Sequence, residues 1–217
     1  SRYSGAQSVM PTPIIDSPAP LRIVFLDVDG VLCCSRSVLE DYPSDDGTLF
    51  FDDTGKTSYP LEQSCLSELR RIVEETSACI VISSTWRQYP DMRRFLLRAL
   101  AAEGIDTESK VVGDTPEIAC LRLAGDPVLS NTGGGRGAEI LAWLEKRDPP
   151  VEAFVILDDE HKESFSNAGI RKHLVATSML EGLTRQLADS AISILSGSLC
   201  GCECSGDDRP KLEPVVE

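Results

Sequence analysis

The sequence lacks the features that would place it in a membrane or along a nucleic acid. It contains no apolar run approaching the ~18 residues that a membrane-spanning helix requires. Basic residues are also few, because 21 Lys and Arg stand against 35 Asp and Glu, and the net charge is −14. A field of this sign repels phosphate backbones, so we expect no membrane partner and no stable coating of nucleic acid. A local basic groove remains compatible with this charge.

A secretory signal is also missing from the sequence. Residues 1–20 carry one Arg and no apolar segment, and the first residue is Ser, so we expect a fragment or a processed form. Eight Cys are scattered along the chain, at positions 33, 34, 65, 79, 120, 200, 202 and 204. Without an export signal we expect thiols in a reducing compartment, which favours a cytoplasmic location.

The length of 217 residues fits one domain. Residues 1–20 contain four Pro among small polar residues and predict a disordered lead-in. The domain is expected at 21–195, followed by a flexible tail at 196–217 that contains Cys200, Cys202 and Cys204. These thiols could hold a soft metal or accept a lipid chain. Since no His or second Cys pair accompanies them, we expect no role.

Apolar strands alternate with helical patterns along the domain. Strands are predicted near residues 21–26, 79–82, 111–112, 153–157 and 174–175. Helical stripes of apolar residues are predicted at 61–73, 91–100, 140–144 and 183–195. A flap or small hairpin is expected at 41–60. The alternation is typical of the α/β class, with a single doubly wound, Rossmann-like parallel sheet that carries helices on both faces.

Polar residues follow three of the predicted strands: Asp27 and Asp29, Ser83 and Ser84, and Asp158 and Asp159. Open α/β sheets hold their ligands at the carboxyl edge, so we expect these side chains to meet there. Four carboxylates in one place repel one another unless a cation lies among them. Oxygen ligands of this kind suit Mg²⁺.

A Mg²⁺ site in turn suits a phosphate ligand, because the metal neutralises phosphoryl oxygens. One Asp can then act as a nucleophile and form an acyl phosphate, while a second Asp two residues later moves protons. The hydroxyl of Ser83 and the cation of Arg136 would complete the charge stabilisation. The residues therefore predict a Mg²⁺-dependent phosphohydrolase that cleaves a phosphate monoester through an aspartyl-phosphate.

The same segments resemble motifs of the haloacid dehalogenase (HAD) superfamily. Residues 25–32 (Phe-Leu-Asp-Val-Asp-Gly-Val-Leu) resemble its first motif, 80–83 its second and 155–159 its fourth. The resemblance covers about residues 21–195 and is strongest to the small HAD domains of "Swiss Army Knife" RNA-repair proteins. The phosphatase half of polynucleotide kinase/phosphatases is similar at a greater distance. Three further segments recur in the RNA-repair domains, and this chain has them at 83–87, 136–140 and 182–184.

The resemblance implies a role for each matching residue. Asp27 would be the nucleophile and a metal ligand, and Asp29 the general acid/base that also offers its backbone carbonyl to Mg²⁺. Ser83 would bind the phosphoryl group, with Ser84 as its substitute. Asp158 and Asp159 would hold the metal, the second directly or through water.

The third motif is usually Lys, and the match here is Arg136, which keeps the positive charge; Lys110 is the alternative phosphate clamp. Arg87 could contact substrate phosphate or pair with a neighbouring carboxylate. Trp86 could simply wedge the following helix against the sheet. The Arg-rich stretch 87–98 could guide a polyanion or form a solvated helix face. The Gly-rich segment 132–137 lacks the ending of a nucleotide-binding loop and is predicted to be a flexible loop.

Residues 33–60 give only 28 positions before the next predicted helix, too few for an independently packed cap domain. We therefore expect an essentially capless fold whose open site admits a phosphorylated macromolecule, such as a nucleic-acid end, or a small ester. Two other functions use the same residues: a non-catalytic HAD-like module that binds a phospholigand, and a phosphotransferase. Asp29 favours catalysis, because a binding module needs no proton donor. The sequence leaves the oligomeric state open.

Overall fold

A parallel sheet forms the centre of the computed structural model, which describes residues 21–35, 61–118, 135–147, 150–159 and 162–197. The described strands are β1 (Leu21–Leu26), β2 (Cys79–Ile82), β3 (Val111–Asp114), β4 (Val151–Asp158) and β5 (Leu174–Ala176). All neighbouring strands pair in parallel, in the order β3-β2-β1-β4-β5. This single all-parallel sheet of five strands confirms the predicted Rossmann-like α/β class.

The central strand is buried on both of its faces. The four residues from Ile23 to Leu26 are fully buried, as expected for a parallel strand covered by helices on each side. Val24 and Leu26 pack in one hydrophobic cluster, whereas Ile23 and Phe25 pack in another. The sheet therefore separates two cores, and the alternation along β1 decides which residue enters which core.

Helices cover both faces of the sheet. The described helices are α1 (Gln63–Thr76), α2 (Pro90–Ala102), α3 (Thr107–Lys110), α4 (Arg136–Glu145), α5 (Lys162–Asn167) and α6 (Arg185–Leu195). A short 3₁₀ turn at Thr85–Gln88 follows β2, and another at Arg171–His173 precedes β5. Within the described ranges, no helix combines the length and the apolar character that crossing a membrane requires.

The two cores draw on different helices. Buried residues of α1, α2 and α6 join the cluster that contains Leu26. The opposite cluster contains Ile140 and Trp143 from α4 and Phe165 from α5. Phe25 and Trp143 meet edge to face with their ring centroids 5.4 Å apart, which anchors α4 on β1. The helix α4 is therefore fixed on the face of the sheet that Phe25 occupies.

Two short helices were not expected from the sequence. The only buried side chain of α5 is Phe165, and α3 buries none, so neither segment shows an apolar stripe that indicates a helix. The expected flap at 41–60, the lead-in, the tail from residue 198 onwards and most of the Gly-rich segment lie outside the described residues. The expectation of a capless domain depends on residues 33–60, most of which are not described, and it stays a prediction.

The Gly-Leu-Thr segment ties the beginning of α6 to the loop that follows β1. Gly182 has φ +66°, and a Cβ at this position would lie 2.8 Å from the carbonyl oxygen of Val31. The next N–H, from Leu183, donates to the same Val31 oxygen at 2.8 Å. The Thr184 hydroxyl then accepts from the backbone N–H of Leu187 and caps the helix. The segment is therefore shaped by packing against the β1 loop.

The crowding at Gly182 gives a stability prediction with a matched control. Gly169 has a similar φ of +70° but nothing within 4 Å of a Cβ. Gly169→Ala should lower the free energy of unfolding by about 1–2 kcal/mol, the cost of a left-handed non-Gly residue. Gly182→Ala should cost about 1–3 kcal/mol more, since it also overpacks the loop. Urea unfolding of both variants measures the difference, and equal losses would contradict the packing argument.

Candidate active site

Strand register aligns three polar side chains at the carboxyl edge of the sheet. Leu26 pairs with Ile82 on one side and with Leu157 on the other. The residues that come next, Asp27, Ser83 and Asp158, therefore form one row. The N–H of Asp27 donates to Leu157 O at 3.0 Å, and that of Ser83 donates to Leu26 O at 2.7 Å. These bonds continue the sheet ladder by one residue into the site.

The carboxylates of Asp27, Asp158 and Asp159 form a compact acidic group. Each offers an oxygen atom, and these atoms lie within 4.8 Å of one another. Asp27 and Asp158 are 6% and 1% exposed, so their mutual repulsion is weakly screened. Three hard oxygen donors at this spacing fit a small divalent cation such as Mg²⁺. The three carboxylates predicted as metal ligands therefore meet, and the contribution expected from Asp29 is its backbone carbonyl.

Gly30 allows the loop after β1 to approach the acidic group. Its φ is +69°, and a Cβ at this position would lie 2.6 Å from the Cβ of Asp159. A side chain here would displace Asp159, and the left-handed backbone also disfavours one. Gly30 in the first motif is thus required because Asp159 in the fourth motif lies against it.

Arg136 brings a cation into the acidic group. It is the first residue of α4, it is 8% exposed, and its Nη1 lies 3.0 Å from Asp27 Oδ1 and 3.4 Å from Asp158 Oδ2. The same nitrogen donates to the backbone oxygen of Ser83. A buried guanidinium between two buried carboxylates offsets part of their repulsion. The structure thus brings the predicted Arg136 to the site.

Lys110, the alternative clamp, lies at the opposite edge of the sheet. It immediately precedes β3, and its Nζ donates to the carbonyl of Ser77, which lies just before β2. Both positions are at the amino ends of parallel strands. Lys110 is therefore separated from the acidic group by the length of the strands, and Arg136 is the cation that the fold supplies.

Ser83 and Ser84 differ in what their hydroxyls contact. Ser83 is 1% exposed, and its Oγ has no hydrogen-bond partner within the part of the chain that the structure describes. Buried hydroxyls normally form hydrogen bonds, so Ser83 is available to contact a ligand. Ser84 instead accepts from the backbone N–H of Trp86 and caps the 3₁₀ turn. The geometry thus favours Ser83 for phosphate contact.

Thr115 is a polar residue at this edge that the sequence patterns did not single out. It follows β3, its N–H donates to Ile82 O at 3.0 Å, and it is 3% exposed. Its hydroxyl, like that of Ser83, has no hydrogen-bond partner among the described residues. The sequence could have indicated Thr115 only through its position directly after β3. The apolar part of β3 has only two residues, which is too short to show where the strand ends.

The carboxylate of Asp29 accepts the indole N–H of Trp86. The distance from Trp86 Nε1 to Asp29 Oδ2 is 3.0 Å. Burial raises the pKa of Asp29, and the Asp27 charge raises it further, whereas the Trp86 hydrogen bond and the Arg136 charge act in the opposite direction. A carboxyl group with a raised pKa is suited to donating a proton.

Arg87 forms an ion pair with a carboxylate, which is the second of the two possibilities left by the sequence. Its Nη2 lies 2.8 Å from Glu139 Oε2, with side chains 7% and 12% exposed, and its Nη1 donates to Ser84 O at 2.6 Å. Arg93, which belongs to the same Arg-rich stretch, pairs with Asp114 of β3 at 2.9 Å. These guanidinium groups are balanced by acids, which weakens the argument that the stretch 87–98 guides a polyanion.

Gly137 brings α4 close to α5 and so fixes the start of the helix that carries Arg136. A Cβ at Gly137 would lie 2.5 Å from the carbonyl oxygen of Ser164. The Gly137 N–H donates to the Ser164 hydroxyl at 2.9 Å. The Arg-Gly-x-Glu-Ile segment thus supplies a site cation, a close helix contact, the partner of Arg87 and a core residue, Ile140.

Comparison with known families agrees with this geometry. Residues 23–188 match the model of the HAD domain in Swiss Army Knife RNA repair proteins. Curated proteins give no match to the sequence. The matched stretch contains every strand end described above and the segments around Trp86, Arg136 and Gly182. The chain therefore belongs to the family of HAD domains found in Swiss Army Knife RNA repair proteins.

Proposed function

We propose that the protein is a Mg²⁺-dependent phosphatase that hydrolyses a phosphate monoester through an aspartyl-phosphate on Asp27. The observation that carries the proposal is the meeting of Asp27 with Asp158, Asp159 and Arg136 at one edge of the sheet. A binding module would need the cations but not a nearby proton donor such as Asp29. Membership of a HAD family supports a phosphatase-type activity.

Two contacts hold the Asp27 carboxylate in place. Its Oδ1 accepts the N–H of Val28 at 2.8 Å and lies 3.0 Å from Arg136 Nη1. Both contacts limit the rotation of the carboxylate. The carboxylate is therefore oriented before a substrate arrives, which reduces the entropic cost of reaching the transition state.

The groups around Asp27 would stabilise the transferred phosphoryl group. Asp27, Asp158 and Asp159 would hold Mg²⁺, which when bound neutralises phosphoryl oxygens. The guanidinium of Arg136 and the hydroxyl of Ser83 would bind the remaining phosphoryl oxygens, since both flank Asp27. The Ser83 hydroxyl, which has no partner among the described residues, would thereby gain a hydrogen-bond acceptor.

Proton transfer would be the task of Asp29. In the first step a carboxylate oxygen of Asp27 attacks phosphorus, the bond to the leaving oxygen breaks, and Asp29 gives its proton to that oxygen. In the second step water attacks phosphorus, its proton passes to Asp29, and the bond to Asp27 breaks. Inorganic phosphate leaves and both Asp residues return to their starting states.

The covalent mechanism is tested by Asp27→Asn with an aryl phosphate as substrate. The wild-type protein should turn over with Mg²⁺ and lose activity with EDTA. Asp27→Asn should lower kcat by about 10³-fold or more, because an amide is a poor nucleophile. Asp91→Asn, whose side chain is 82% exposed on α2, is the matched control and should keep full activity. An unchanged rate in Asp27→Asn would remove the aspartyl-phosphate.

The metal site is tested without reference to activity. A cation that binds the folded state stabilises it by about 2.7 kcal/mol when its concentration is one hundred times its Kd. Mg²⁺ should therefore raise the Tm of the wild-type protein by several degrees, relative to NaCl of equal ionic strength. Asp158→Asn should remove most of this rise, and Asp91→Asn should keep it. An equal rise in all three proteins would show that the acidic group is not the binding site.

For the substrate class, we propose the phosphorylated end of an RNA chain. The support is the description of the matched family, which places such HAD domains in RNA repair proteins. Oligoribonucleotides with a 3′- or a 5′-phosphate should give a higher kcat/KM than glycerol phosphate or other small esters. The preferred end then identifies the repair step. If small esters are better substrates than every oligonucleotide, the proposal for a macromolecular substrate is wrong.

A further inference from the structure

The hydrogen bond from Trp86 to Asp29 has no part in the chemistry proposed so far. Trp86 is 2% exposed, which makes it one of the largest buried side chains of the domain. Its indole Nε1 nevertheless points to a half-buried carboxylate, at 3.0 Å from Asp29 Oδ2. The partner that satisfies this buried indole N–H is thus a residue of the candidate site.

The indole is held firmly by its surroundings. Its ring lies 6.1 Å from that of Phe95 on α2, and it belongs to the hydrophobic cluster that contains Leu26. The turn that carries it is capped by Ser84 and pinned by the ion pair of Arg87 with Glu139. Because the ring cannot turn without breaking these contacts, its N–H is a fixed donor.

The backbone of Asp29 is held by an isolated β-bridge with Cys33, which leaves the orientation of its side chain to other contacts. It lies past the end of β1, in the loop that turns back through Val31 and Cys33. An aspartate side chain in such a loop has several rotamers, and only some of them bring its carboxyl group to a leaving oxygen. The hydrogen bond from Trp86 selects among these rotamers.

The indole N–H also decides which carboxyl oxygen stays available to the substrate. An indole N–H can donate but cannot accept a hydrogen bond. Oδ2 accepts from it at 3.0 Å, so Oδ1 is the oxygen left for the substrate.

We infer that Trp86 is a positioning residue for proton transfer, whose indole N–H holds the Asp29 carboxyl group so that Oδ1 faces the leaving oxygen. The inference rests on the proposed phosphatase function. The competing role is a purely structural one, in which Trp86 packs α2 against the sheet and the polar contact has no effect on the reaction.

The two roles are separated by the dependence of the rate on the leaving group. A nitrophenyl phosphate has a good leaving group that needs little protonation, whereas an alkyl phosphate depends strongly on a proton donor. Trp86→Phe removes the N–H and keeps an aromatic ring. We expect it to lower kcat/KM by about 10–100-fold for the alkyl ester and by less than about 3-fold for the nitrophenyl ester.

The matched control is Trp143→Phe, which makes the same change in the other core. Trp143 is 5% exposed and packs against Phe25. Its substitution should cost similar stability but leave the ratio of the two kcat/KM values unchanged. An equal loss on both esters in Trp86→Phe, or the same change of ratio in Trp143→Phe, would overturn the inference in favour of a structural role.

A double-mutant cycle shows whether Trp86 acts through Asp29. In an Asp29→Asn background, the additional Trp86→Phe change should lower alkyl-ester hydrolysis by less than about 2-fold, because no proton donor remains to be positioned. A further loss as large as in the wild-type background would contradict the inference.

NMR measures the contact between Trp86 and Asp29 directly. It therefore distinguishes a failure of the positioning inference from a failure of the phosphatase proposal. The sequence has two Trp, which give two indole signals. Asp29→Ala should move the Trp86 indole proton upfield and accelerate its exchange with water, while the Trp143 signal stays in place. Absence of all hydrolysis in the wild-type protein would refute the phosphatase, and an unchanged Trp86 signal would refute the positioning contact.

Discussion

The register of β1 between β2 and β4 is the constraint on which the site depends. It aligns Leu26 with Ile82 and Leu157, and the residue after each of them enters the acidic edge. A slip of one residue would turn every side chain of a strand to the other face. The two cores prevent this, because alternate residues of β1 are buried on opposite sides. Hydrophobic packing thus determines where the residues of the candidate site meet.

Beyond the strand ends, the site is assembled by contacts between loops that come from different strands. Gly30 allows the β1 loop to approach Asp159, and Trp86 joins the turn after β2 to Asp29. The pair of Arg87 with Glu139 joins that same turn to α4. Most of these residues have no chemical step of their own. These contacts make the positions of the acidic residues, Asp29 and Arg136 depend on one another.

Much of this arrangement could be predicted from the sequence, and the reasons for the failures are specific. The compact apolar runs fixed β1 and β2 to the residue, because a buried strand needs continuous apolar side chains. The place of Lys110 was also within reach, since a residue before a strand lies at the amino edge. The partners of Arg87 and Trp86 were not, because both Glu139 and Asp29 come from other segments and no local pattern relates them.

The buried pair of Arg87 and Glu139 couples two segments that are distant in sequence. Either charge without the other would remain in a nearly dry interior, where an uncompensated charge costs several kcal/mol. A single substitution at either position should therefore destabilise the domain more than the loss of both charges together. The turn after β2 and the start of α4 are thus one energetic unit.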